Sequence, residues 1–128
     1  MRLLLDTHVL LWAAGEPEKL SVAGRKLLLA PENTLYFSPA SIWEIVIKRE
    51  LGRDDFQVDP ARLRKMLIVN GYTEVPVTSD HTLALAGLPP LHKDPFDRLL
   101  VAQSRSEGML LVSSDTQILR YGDWIVRA

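Results

Sequence analysis

Leu3-Leu4-Leu5-Asp6-Thr7 opens the chain with three apolar residues running straight into a carboxylate and a hydroxyl. A short, wholly apolar run bounded by polar residues is the pattern of a strand buried on both faces of a parallel sheet. In the segment that follows, Val9, Leu10, Leu11, Trp12 and Ala13 are spaced for a short helix, which Gly15 and Glu16-Pro17 end. Asp6 therefore falls at the carboxyl end of a first, central strand, where open α/β sheets place their ligands. The remaining chain is read for groups that would meet it there.

Working outward, Ser21 caps a second helix to about Leu29, and Leu35-Tyr36-Phe37 forms another short buried strand. Ser38-Pro39 then starts a third helix, with Ser as N-cap and Pro at its first position, running to about Leu51. Ala40, Ile42, Trp43, Ile45, Val46 and Ile47 make that helix apolar nearly all round, so it is expected to be largely buried. Ser41, Glu44 and Lys48 share one narrow polar stripe on it. Such a stripe has to face something polar, because burying an unpaired carboxylate is costly.

Gly52 to Asp59 reads as a polar loop, and Pro60 opens a helix with Leu63, Met66 and Leu67 on one face. Tyr72 to Val77 contains Pro76 and reads as a short edge strand. Ser79-Asp80 begins a helix to about Ala86, and Asp94-Pro95 begins another that Gly108 ends. Met109 to Val112 is a third apolar strand, followed by a short helical segment and a last strand at Trp124 to Val126. Strands alternating with helices predict one α/β domain over residues 1–128, with three α/β/α layers and a short, mainly parallel central sheet.

Composition narrows the function class. The 128 residues include 47% hydrophobic and 24% charged, as in ordinary globular proteins. No apolar run approaches the roughly 20 residues of a spanning helix, and the N-terminal residues lack a signal-peptide pattern. There is no cysteine, so thiolate metal ligands and nucleophiles are excluded. Together these fit a cytoplasmic protein with no membrane partner. The net charge of −1 supplies no global field for nucleic acid, so such binding would need a local basic patch.

Asp6, Glu44, Asp97 and Asp115 each stand at a strand end or near the helix start that follows one. Each has a plain structural role open to it. Asp6 and Asp115 suit N-caps, Asp97 suits a first helical turn, and Ser41 with Glu44 matches a capping box. Yet Ser38-Pro39 is the better start for its helix, and Asp94 is better placed than Asp97 to cap the other. Carboxylates gathered on one sheet edge repel one another unless a cation lies between them. Oxygen donors without sulfur suit a hard ion, Mg²⁺ or Mn²⁺, and such sites commonly serve phosphate chemistry.

Four stretches carry a resemblance to a known family. They are Leu5-Asp6-Thr7; Ser38-Pro39-Ala40-Ser41-Ile42-Trp43-Glu44; the long run His92-Lys93-Asp94-Pro95-Phe96-Asp97-Arg98-Leu99-Leu100-Val101-Ala102-Gln103; and Val112-Ser113-Ser114-Asp115. In these the chain resembles PIN-domain ribonucleases of the VapC type, the toxin half of toxin–antitoxin pairs. The resemblance implies an endoribonuclease that hydrolyses RNA phosphodiester bonds with Mg²⁺ or Mn²⁺. It places Asp6, Glu44, Asp97 and Asp115 on the family's acidic metal-binding positions, with Asp115 the most variable in role. Thr7 and Ser114 fall on supporting hydroxyls, and Ser41 shares the stripe of Glu44.

Lys48, His92, Lys93 and Arg98 are the candidate RNA contacts, with a Glu44 pair the commoner fate for Lys48 and a plain loop role the commoner fate for His92. His8 and His81 show no metal-ligand spacing and read as structural; Trp12, Trp43 and Phe96 read as packing residues. The resemblance further implies a homodimer inhibited by a cognate antitoxin lying in an apolar groove, expected near Leu10, Leu11 and Trp12. The competing reading is a PIN-like protein- or RNA-binding module without nuclease activity, its acids acting as caps. A haloacid-dehalogenase-type phosphatase would want an Asp at His8, a receiver domain lacks its early acidic pair, and no P-loop is present.

Overall fold

The computed structural model describes residues 1–128. Its five strands are β1 (Arg2–Leu5), β2 (Thr34–Phe37), β3 (Thr73–Glu74), β4 (Leu110–Ser113) and β5 (Ile125–Arg127), in the order β3-β2-β1-β4-β5. Every pairing is parallel, with Leu3 opposite Leu35 on one side and Leu110 on the other. The helices are α1 (Thr7–Gly15), α2 (Val22–Leu29), α3 (Pro39–Glu50), α4 (Pro60–Val69), α5 (Ser79–Ala84), α6 (Pro95–Glu107) and α7 (Thr116–Leu119).

β1 is central, as its sequence predicts, and Leu3, Leu4 and Leu5 are each fully buried. Successive strand side chains point to opposite faces. Leu3 and Leu5 accordingly join one core with Val9, Leu10, Phe37, Ile45, Phe56 and Leu63. Leu4 joins a second core with Leu100, Val101, Leu111 and Ile118. Helices on both faces make the three-layer α/β/α architecture. Because all strands are parallel, α1, α3 and α7 start at the same sheet edge where β1, β2 and β4 end. Helix α6 leads into the opposite end of β4, so its first turn also lies at that carboxyl edge.

Two expectations change. Helix α3 is not largely buried: Trp43 is 58% exposed, whereas Ser41 is fully buried and Glu44 is 2% exposed. The polar stripe lies on the inner side, because its members find polar partners there, and Trp43 is left to stack edge-on against Phe96 at 5.0 Å. The polar stretch from Gly52 to Asp59 contains a 3-10 turn, Asp54–Phe56, that sends Phe56 fully into the core. Other boundaries move little, except that the expected edge strand from Tyr72 to Val77 is a strand only over Thr73–Glu74. Thr78 rather than Ser79 caps α5, and Gly108 ends α6 in the left-handed conformation at φ 66°.

Candidate active site

Asp6 follows β1 directly and is 4% exposed. Its Oδ1 accepts from the Val9 backbone N–H at 2.9 Å, capping α1, while Oδ2 accepts from the Ser113 hydroxyl at 2.5 Å. Burial disfavours its charge and pushes its pKa up to about 6, with the Ser113 and Val9 hydrogen bonds opposing. The supporting hydroxyl is therefore that of Ser113, not Ser114. β4 runs through Ser113, and the side chains of neighbouring strand residues point opposite ways. The same Ser113 oxygen accepts the Asp115 backbone N–H at 3.0 Å, tying the ends of β1 and β4 together.

Glu44 lies in the second turn of α3, beyond the reach of capping. Its Oε1 accepts from the Thr7 hydroxyl at 2.6 Å and its Oε2 from Lys48 Nζ at 2.5 Å. Thr7 has one proton to give, so the Ser41 hydroxyl 3.0 Å away donates to Thr7 in turn. A buried chain from Ser41 through Thr7 thus ends on Glu44. Lys48 also reaches Asp94 Oδ2 at 3.3 Å. Partial burial works against the Lys48 charge, yet its bonding and attraction to Glu44 outweigh that and raise its pKa.

Asp94 caps α6, its Oδ1 accepting the backbone N–H groups of Phe96 and Asp97 at 2.9 and 3.1 Å. The Asp97 carboxylate is thereby left over at the first turn of that helix. Burial, then repulsion from Asp94, Glu44, Asp6 and Asp115, pushes its pKa up to about 8. Asp115 caps α7 through the N–H groups of Gln117 and Ile118. His92 stands between these last two acids, its Nε2 lying 2.9 Å from Asp97 Oδ2 and 3.4 Å from Asp115 Oδ2.

Asp97 is the meeting point. One ligand atom each from Glu44, Asp94 and Asp97 lies within 4.8 Å of the others, and the same holds for His92, Asp97 and Asp115. Asp6 adjoins this cluster and repels both Glu44 and Asp97. Of the five acids Asp6, Glu44, Asp94, Asp97 and Asp115, only Glu44 and Asp94 pair with a lysine, and it is the same one, Lys48. A set of oxygen donors with that excess of negative charge fits a hard divalent cation.

The other candidate contacts are dispersed. Arg98 turns its Nη2 toward the carbonyl oxygens of Leu85 and Leu88 at 3.4 and 3.5 Å, and Lys93 is exposed. His8 contacts Asp55 at 3.2 Å and the rings of Trp12 and Phe56, while the buried His81 accepts the Thr78 N–H and pairs with Glu107 at 2.8 Å. The sequence offers Asp94 only as a cap and His92 as a candidate RNA contact or plain loop residue, whereas the structure sets both among the acids. The signal for both was their place in one run with Asp97.

A doubly covered parallel sheet with carboxylates gathered at its switch point defines the class: an α/β protein with an acidic cluster at the carboxyl edge of its sheet whose ligand atoms could hold a cation. The PIN domain family model matches residues 3–123, and the chain belongs to that family. No curated protein matches it. Among solved structures it is similar to VapBC2 from Rickettsia felis bound to a promoter DNA fragment, at TM-score 0.70 and 16% identity, covering 100% of this chain and 98% of that one. It is also similar to VapBC-1 from nontypeable Haemophilus influenzae, at TM-score 0.61, 17% identity and coverage of 97% and 98%. A toxin–antitoxin complex from Klebsiella pneumoniae matches at TM-score 0.60 and 17% identity, with coverage of 96% and 94%. At these identities the likeness is one of fold.

Proposed function

We propose that this chain is an Mg²⁺- or Mn²⁺-dependent endoribonuclease of the VapC type, acting in the cytoplasm as the toxin of a toxin–antitoxin pair. The observation that carries the reading is the crowding around Asp97, whose ionised form is held off by burial and four neighbouring acids. PIN-family nucleases use divalent ions, and the toxin–antitoxin identity of the fold's neighbours supports the biological role.

Asp97, Glu44 and Asp115 would hold the ion, with Asp6 beside them, directly or through water. When bound, the metal supplies a lowered water pKa and neutralisation of phosphate charge. The protein's own residues do the rest. The Ser41–Thr7 chain and Lys48 fix both oxygens of Glu44, and Ser113 and the Val9 N–H fix those of Asp6. Carboxylates held this way keep their orientation as substrate arrives. An acid not engaged by the ion would be the one to accept a proton from the attacking water. Lys93, exposed beside the cluster, is the side chain freest to meet the RNA backbone, whereas Lys48 is committed to Glu44 and Asp94.

The antitoxin groove fits the surface around α1. A cleft of about 230 Å³ sets apolar Leu11, Ala14, Val58, Leu63 and Met66 beside the acidic Glu16, Asp54 and Asp55, and another of about 260 Å³ is lined mainly by apolar residues, among them Ala13, Leu20, Leu28, Leu35 and Tyr72. Leu10 is not part of it, being fully buried in the core, and Trp12 lines neither cleft. A homodimer completes this reading; the exposed Trp43 is one surface residue available to it.

The binding-module reading draws on a specific observation: Asp6, Asp94 and Asp115 all do cap helices. Metal titration separates the two. Under the nuclease reading Mn²⁺ raises the melting temperature of the wild type, and Asp97→Asn loses both that rise and RNA cleavage. An equal metal response in the two proteins, with no cleavage by either, would establish the module instead.

A further inference from the structure

His92 is fixed more firmly than a loop side chain requires. Its backbone N–H donates to the Tyr121 hydroxyl at 3.1 Å. Its ring Nδ1 accepts the backbone N–H groups of Lys93 and Asp94 at 2.9 and 3.3 Å. An imidazole nitrogen that accepts carries a lone pair and no proton. The ring then carries its single proton on Nε2. That atom is buried, close to Asp97 Oδ2 and Asp115 Oδ2, but neither contact has the alignment of a full hydrogen bond. A buried donor without a formed bond costs stability unless something satisfies it.

The spacing of His92, Asp97 and Asp115 by itself suits three ligands around one ion. Ligation through Nε2, however, needs the lone pair that the proton occupies. Ligation through Nδ1 would require breaking both backbone hydrogen bonds. Freeing Nε2 by moving the proton to Nδ1 would set that proton against the same two N–H groups.

We propose that His92 is a positioning residue: it donates Nε2–H to the Asp97 and Asp115 carboxylates, draws Asp115 into the cluster, and is not itself a metal ligand. The donor complements negative charge on both acids and leaves their remaining oxygen lone pairs for a cation. It also gives Asp115, otherwise engaged as the cap of α7, a tie to the site. The loop 91–94 is the rigid mount, held by Tyr121 from across the chain and by its own backbone amides. The inference rests on the metal-dependent reading of the same site.

Nitrogen shifts of the His92 ring, from two-bond ¹H–¹⁵N correlation spectra, report the tautomer in the wild-type protein with no substitution. The side-chain carboxyl shifts of Asp97 and Asp115 report Mg²⁺ binding in the same sample. The expected result is an Nε2–H tautomer before and after Mg²⁺, with both carboxyl signals moving. Moving carboxyls together with loss of the Nε2 proton would make His92 a ligand, overturning this inference while the metal reading stands. Carboxyls that ignore Mg²⁺ would sink the metal reading and the inference with it. Two variants test the donor itself. His92→Ala weakens Mg²⁺ affinity roughly 10–100-fold, the usual effect of losing an outer partner of a metal ligand, and His92→Gln, whose amide N–H can donate, restores most of it. A Gln variant as weak as Ala would overturn the donor role.

Discussion

At the β1–α1 junction one carboxylate does two jobs, whereas at the start of α6 two carboxylates divide them. Asp6 caps its helix with one oxygen and accepts from Ser113 with the other. Asp94 caps α6 and shares Lys48, which leaves Asp97 with no capping bond and no lysine. Both acids are largely buried, yet their pKa values stand at about 6 and about 8. The difference shows what hydrogen bonds do for a buried carboxylate. Donors offset part of the desolvation of Asp6, and Asp97 meets only further acids beyond the one imidazole. Asp6 is built into the fold, while Asp97 is held in readiness by it.

Substitution should therefore separate the two in stability while uniting them in function. Asp6→Ala and Asp97→Asn are both expected to reduce RNA cleavage by more than the roughly 100-fold that marks loss of an outer partner of a ligand. In metal-free buffer, Asp6→Ala should lower stability by roughly 1–3 kcal/mol, since it removes a cap and leaves the Ser113 hydroxyl without its acceptor. Asp97→Asn should raise the melting temperature near neutral pH, because the neutral amide spares the folded protein the proton uptake that burial and four neighbouring acids force on Asp97. Urea unfolding with chelator present reads both. The comparison breaks if Asp97→Asn destabilises as much as Asp6→Ala.

A pH series sharpens the contrast. Asp97 binds its proton up to about pH 8 when folded, against an ordinary carboxylate pKa of 3.8 when unfolded. The folded state therefore holds more protons between those values, and stability must fall as pH rises through that window. Asp6 contributes in the same direction, but only up to about pH 6. In the metal-free protein the melting temperature should decline from pH 5 to pH 8.5 by several degrees. In Asp97→Asn the upper half of that decline should flatten while the part below about pH 6.5 persists. With saturating Mg²⁺ the trend should reverse, since the ion binds the ionised carboxylates and its affinity climbs with pH. A flat metal-free profile would show that the crowding of Asp97 is relieved in solution.

The same contrast marks what the sequence could and could not tell. β1 was legible because Leu3, Leu4 and Leu5 leave no polar face, which only a doubly covered strand tolerates. The spare acid of α6 was legible because Asp94-Pro95 is a strong helix start and leaves Asp97 without a capping job. The inner face of α3 was not. The polar stripe was legible as a face needing polar partners, which Thr7 and Lys48 supply to Glu44. With apolar residues nearly all round, however, periodicity does not say that this stripe is the inside and the Trp43 side the outside. Phe56 was hidden for a related reason, as one aromatic residue in a polar stretch carries no period. The role of His92 depends on how loop 91–94 folds its own amides onto the ring, a tertiary detail that spacing does not encode.

The smallest expected effect concerns the adjacent serines, where the sequence reading and the structure choose different residues. Ser113 is fully buried at the end of β4, donating to Asp6 and accepting from the Asp115 N–H. Ser114 is half-buried and takes no part in those hydrogen bonds. Ser113→Ala should cost roughly 1–2 kcal/mol, the usual worth of a hydrogen bond to a charged group less what water can replace. It should also push the Asp6 pKa above about 6, because one of the two opposing hydrogen bonds is gone. The metal-free stability decline would then extend to higher pH. Ser114→Ala should leave both stability and pH profile within about 0.5 kcal/mol of wild type, as surface-type changes do. Reversed behaviour of the two variants would mean that β4 ends one residue earlier than the structure places it, with Ser114 turned to Asp6.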